Sequence, residues 1–104
     1  MNLRKRLYEL MHMQPYGTED LVLLKNVIIP YEFSNKQPKQ WKISRVVDYY
    51  NENNCVDKPI SVVKVPSEKT GKCKYLLTDE YTRYLFLKSQ NKKFIPVKYI
   101  EILS

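Results

Sequence analysis

The residues best suited to chemistry fall in two short stretches. In the first, Asp79, Glu80, Thr82 and Arg83 stand at the entrance of a segment with helical character. Backbone N–H groups at a helix start lack intrahelical partners and carry the positive end of the helix dipole, so this spot suits an anion. Side chains on a helix lean toward its N-terminus, so Arg83, one turn in, reaches back toward the same spot with a planar fork that matches phosphate oxygens. Thr82 adds a hydroxyl. A structural use of the same residues is equally open: Asp79 caps the helix, and Arg83 pairs with Asp79 or Glu80 at the surface. In the second stretch, Lys36, Lys39, Lys42 and Arg45 surround Trp41. An aromatic ring among cations stacks on a base while the cations neutralise phosphate. The alternative is that Trp41 plugs the core and the lysines are simply solvated.

Catalysis and metal binding have less to build on. The carboxylates Asp48, Asp57, Asp79 and Glu80 form no paired motif of the kind that nucleases and phosphotransferases build around magnesium, so no catalytic residue and no cofactor are expected. Cys55 and Cys73 are widely spaced, the single histidine is His12, and no Cys-x-x-Cys is present, so no metal site is expected and the thiols should be reduced. A formal net charge of +7 and a pI near 9.4 attract polyanions such as DNA. The same surplus also keeps a small protein soluble. No apolar run approaches the roughly 20 residues of a membrane span, and the N-terminus shows no signal-peptide pattern. A cytoplasmic protein without a membrane partner is expected.

With 104 residues, 43% of them hydrophobic and 28% charged, the chain has enough apolar content for one core and is too short for two ordinary domains. Residues 1–20 read as an appendage: Leu3, Leu7, Leu10 and Met11 share one helical face, Arg4, Lys5 and Arg6 lie off it, and Pro15 with Gly17 ends the helix in a turn. Such a helix packs on its own domain, or docks on a membrane, on DNA or on another chain. Residues 21–104 form the domain proper. The run 21–29 predicts one strand closed by Pro30, and 30–39 predicts a loop. Ile43, Val46, Val47 and Tyr50 predict a helix that leaves through a left-handed Asn53 or Asn54 and that starts either with Pro38 in its first turn or with Ser44 as its cap. Residues 59–65 and 73–77 predict an antiparallel hairpin, Thr78 and Asp79 cap a helix over 80–90, and 94–103 is the last strand. The order α-β-α-β-β-α-β defines an α+β domain with a mixed sheet.

Three segments in this order, KPISVVKV from Lys58, YLLTDEYTRY from Tyr75 and FIPVKY from Phe94, resemble the ParB/sulfiredoxin-like domain, with the likeness running over about 21–103. In that family a strand opening on Pro-Ile leads to a second strand, an Asp-Gly-x-x-Arg turn that opens a helix, and a Val-Pro-Val strand. Asp79 and Arg83 match the ends of the turn, and Glu80 stands in place of its glycine, which in relatives lets backbone approach a phosphate. Sulfiredoxins carry Gly-Cys-His-Arg there; with Glu80, Tyr81, Thr82 and Arg83 this chain has no counterpart of the reactive cysteine. The chromosome-partitioning members carry Gly-Glu-Arg-Arg, of which only Arg83 is matched, and no counterpart of their helix-turn-helix domain is expected in these 104 residues. Related domains also place a basic residue at the entrance of the middle helix, facing the same pocket as the arginine, and Lys42 is the nearest match. The resemblance implies a small, non-catalytic module that binds DNA or another phosphate-bearing ligand, with weak and salt-dependent affinity for polyanions. A nucleotide-dependent enzyme of the same fold, nuclease or phosphotransferase, and a protein-interaction module acting through the N-terminal helix are the alternatives.

Overall fold

The computed structural model describes residues 13–66 and 72–101. The expected N-terminal helix, His12 and the tail of the expected last strand lie outside the described residues. The turn expected at Pro15 and Gly17 is in view: both the backbone N–H and the hydroxyl of Thr18 donate to the Pro15 carbonyl, at 3.2 and 2.7 Å, around Gly17 at φ 94°.

The apolar run expected as one strand is broken in two. Strand β1 (Asp20–Leu23) and strand β2 (Val27–Ile28) are separated by a single 3-10 turn, Leu24–Asn26. The strand order, β1-β5-β3-β4-β2, explains the break, because the two halves of the run lie on opposite edges of one five-stranded sheet. A flat sheet holds its outer strands about 19 Å apart at roughly 4.8 Å per spacing. The step from Leu23 to Val27 spans at most about 14 Å of extended chain. The sheet is therefore curled toward closure, and the 3-10 turn bridges its edges.

The centre of the sheet is β3 (Ile60–Pro66). It runs antiparallel to β4 (Cys73–Asp79), with Val62 opposite Leu77, and parallel to β5 (Phe94–Tyr99), with Ile60 opposite Val97. The expected hairpin is thus present, with β4 running two residues further than expected. Its alternation, interrupted by a register shift between Ser61 and Val62, sends Ile60, Val62 and Leu77 inward to join Val22, Ile95 and Val97. Two helices cover this face. Along α2 (Gln40–Asn53), Val46 is buried and Ile43, Val47 and Tyr50 are half-buried, on the stripe that their spacing requires. On α3 (Tyr81–Ser89) the inward residues are Tyr84 and Leu87, a choice that periodicity alone could not make. Tyr50 meets Phe86 edge-on at 5.0 Å between the two helices.

The helix ends depart from expectation in part. Asn54 takes the left-handed exit at φ 60° as expected, and its N–H closes on the Tyr50 carbonyl at 2.8 Å. Helix α2 starts at Gln40 with extended Lys39 before it and no side-chain cap, so neither Pro38 in the first turn nor Ser44 as cap describes it. The expected loop contains α1 (Tyr31–Ser34), one turn that follows Pro30; a proline cannot donate and its fixed φ suits the entry. The result is an α+β domain with a mixed sheet. Among the described residues no helix is long and apolar enough to cross a membrane, and Cys55 and Cys73 are free thiols.

Candidate functional site

Strand β4 delivers the chain to the start of α3 through one residue in an unusual conformation. Glu80 has φ 74° and ψ 39°, the left-handed region that glycine favours, so the turn keeps glycine's backbone without glycine. Thr78 and Asp79, expected as helix caps, are strand residues. The Asp79 carboxylate accepts from the N–H of Glu80 at 2.7 Å, which fixes the turn and leaves the first turn of α3 without a side-chain cap. Thr78 donates its hydroxyl to the Ser61 carbonyl at 3.1 Å. Thr82 is half-buried in the first turn of α3.

Arg83 reaches back as expected, but it meets carboxylates. Its Nε donates to Oδ1 of Asp57 at 2.7 Å and its Nη2 to Oδ2 at 2.9 Å, a bidentate pair, while Nη1 donates to the Glu80 carboxylate. The side chains of Arg83, Asp57 and Glu80 are 19%, 31% and 18% exposed. The guanidinium therefore commits three of its five N–H donors to the protein's own acids. Hydrogen bonding to Arg83 is the main cause that holds the Asp57 carboxyl below its ordinary value, against a smaller effect of burial. In return Asp57 is the main cause that raises Arg83. Burial, then the charge of Asp57, pushes the Cys55 thiol up. Two carboxylates on one guanidinium leave the cluster one charge negative, so it repels a phosphate unless one acid gives way.

The sequence showed the Glu80 to Arg83 half of this cluster as an i, i+3 pair and missed Asp57. A signal existed in the hairpin. Ser61 lies opposite Asp79, so the antiparallel pairing brings the segment that enters β3, with Asp57, beside the start of the helix that follows β4, with Arg83. The pairing is invisible until the register is known.

The second stretch divides. Lys36 lines an open groove of about 360 Å³ together with Pro30, Glu32, Phe33, Leu76, Leu77 and Thr78. This groove adjoins the turn through Thr78 and through Tyr81, whose ring lies 5.7 Å from that of Phe33. Lys42, expected to face the pocket, does not line the groove; Lys36 and Thr78 are its polar residues beside Glu32. Lys39, Trp41, Lys42 and Arg45 sit exposed at the entrance of α2. Trp41 is 54% exposed and does not plug the core, and the Lys42 ammonium lies 5.7 Å from the centre of its ring. Among the described residues, no carboxylate pairs with Lys36, Lys39, Lys42 or Arg45.

No family model matches the chain, and no curated protein matches it. Solved structures do share its architecture. The C-terminally truncated chromosome-partitioning protein ParB from Caulobacter crescentus, complexed with CTP-gamma-S, superimposes with a TM-score of 0.56 at 15% identity over 82% of this chain and 45% of its own. A free serine kinase in complex with AMP gives a TM-score of 0.61 at 18% identity, over 88% of this chain and 37% of that one. Sulfiredoxin from Arabidopsis thaliana gives 0.56 at 19% identity, over 80% and 86%. The fold is therefore ParB/sulfiredoxin-like. The chain spans less than half the length of the ParB and kinase chains, and at these identities the likeness is one of fold.

Proposed function

We propose that this chain is a non-catalytic module that binds DNA, or another phosphate-bearing polyanion, through the entrance of α2 rather than through Arg83. The observation that carries the proposal is a contrast between two basic sites. Arg83 is occupied by Asp57 and Glu80, whereas Lys36, Lys39, Lys42 and Arg45 have no carboxylate partner among the described residues and flank a solvent-exposed tryptophan. Unpaired cations release counterions when they meet phosphate, which makes binding weak at physiological salt and steep in its salt dependence. Contacts to phosphate position a protein without carrying sequence information, so sequence preference should be slight.

The protein carries a single tryptophan, which makes its emission a direct reporter of the α2 entrance. Duplex DNA titrated at low ionic strength should quench Trp41. Lys39→Ala combined with Lys42→Ala should flatten the slope of log affinity against log salt by roughly one to two units. An unchanged slope removes the patch from the interface, and no binding at low salt ends the proposal.

The convergence of Asp57 and Glu80 on Arg83, beside a groove containing Lys36 and Thr78, favours a second reading, a nucleotide-dependent enzyme. Solved structures of the same fold hold CTP-gamma-S and AMP. In the first reading the natural sequence binds little ATP or CTP by calorimetry, with or without magnesium, because Glu80 opposes the phosphates; Glu80→Gly gains affinity and a further Arg83→Ala abolishes the gain. Low-micromolar binding by the natural sequence, unimproved by Glu80→Gly, would put the enzyme first.

A further inference from the structure

Trp41, Arg45 and Tyr49 stand at i, i+4 and i+8 on the exposed side of α2, with Trp41 54% and Tyr49 39% exposed. Each ends in a flat π-system, and Arg45 has no carboxylate partner among the described residues. Successive members are about 6 Å apart along the axis of an α-helix. That interval is well above the roughly 3.4 Å rise of stacked bases along a strand, so bases seated on successive members are drawn out of their own stack.

From this spacing we propose that α2 binds single-stranded nucleic acid, with unstacked bases seated along Trp41, Arg45 and Tyr49 and the flanking phosphates held by Lys39 and Lys42. The proposal rests on the polyanion reading above and narrows it to one substrate class. A base in a duplex has both faces covered by its neighbours, so an aromatic platform has something to gain only from bases that are already unpaired. Charge sets the limits of the footprint. Glu52, exposed past Tyr49, repels phosphate at that end, and exposed Asp48 beside Tyr49 keeps the backbone toward Arg45, Lys42 and Lys39, so contact stays short.

The test compares three fluorescently labelled probes by anisotropy at one low salt concentration: a single-stranded oligonucleotide, its duplex, and inorganic polyphosphate, which has phosphates and no bases. The single strand should bind tightest. Tyr49→Ala should weaken it at least about fivefold, the low end of one lost base stack, and should leave duplex and polyphosphate unchanged, while Tyr49→Phe restores single-strand binding. Tyr49 lies outside the buried core, and thermal melting of each variant verifies that it folds. Equal affinity for duplex and single strand together with an inert Tyr49→Ala would overturn the stacking proposal and leave the polyanion reading standing. Failure of all three probes to bind would remove both.

Discussion

Glu80 offers the sharpest test of how this turn is built, because two effects that usually travel together are separable there. The residue sits at φ 74°, and a side chain with a Cβ in that region costs about 1–2 kcal/mol relative to glycine. What Glu80 contributes is its ion pair with Arg83, in a setting where each side chain is less than a fifth exposed. Exposed pairs are worth about 0.2–1 kcal/mol, and this more sheltered one belongs near the top of that range. Glu80→Ala loses the pair and keeps the backbone cost, so it should destabilise by about 1 kcal/mol. Glu80→Gly loses the same pair and relieves the backbone, so its stability should stay close to that of the natural protein. The difference between the two variants is the backbone cost itself, about 1–2 kcal/mol in favour of glycine, and each kcal/mol corresponds to about 4–8 °C in melting temperature for a domain of this size. Thermal melts followed by circular dichroism resolve a shift of that size. If Glu80→Ala melts at or above Glu80→Gly, the left-handed turn is not a constraint on this position, and the correspondence with the glycine of the Asp-Gly-x-x-Arg turn fails.

Two further expectations concern the same cluster. The Asp57 carboxyl is held below its ordinary value chiefly by Arg83, so its stabilising effect is complete above the unfolded value near 3.8 and is lost as pH falls through the lowered folded value. Asp57→Asn should therefore flatten the acid limb of the urea-midpoint curve below about pH 4; superimposable curves for the two proteins would show that the pair contributes nothing. No reduction of oxidised peroxiredoxin is expected, because the resemblance to sulfiredoxins sets Tyr81 against their reactive cysteine and the Cys55 thiol is pushed up by burial, away from the thiolate form. Sustained turnover in that assay would refute it.

The sequence was legible where a segment's burial depends on its own residues. The hairpin of β3 and β4 follows from the β-branched run between Pro59 and Pro66 and from the apolar CKYLL after the polar 66–72 loop, and α2 follows from the spacing of Ile43, Val46, Val47 and Tyr50. Long-range geometry defeated it elsewhere. Periodicity reports burial, and both halves of the run 21–29 are largely buried or half-buried, so nothing local marked the crossing from one sheet edge to the other. Helix α1 is four residues long, too short to display a period. The arginine at the turn was legible from its motif, but its main partner was not, because Asp57 is 26 residues away and becomes a neighbour only through the register of β3 on β4.

That partner decides where the proposed polyanion binding falls. Had Arg83 been free, a helix start and a planar fork would have made the turn the strongest phosphate site in the molecule. With Asp57 and Glu80 in place the cluster carries a net negative charge, and the rest of the chain holds the entire surplus of +7 and one charge more. A phosphate approaching the turn must displace a bidentate carboxylate that is already well aligned, at 2.7 and 2.9 Å. One approaching α2 displaces only water and counterions from Lys39, Lys42 and Arg45. The lower barrier lies at α2, where the exposed tryptophan also stands, and that is why the salt dependence of binding should respond to Lys39 and Lys42 and be insensitive to Arg83→Ala.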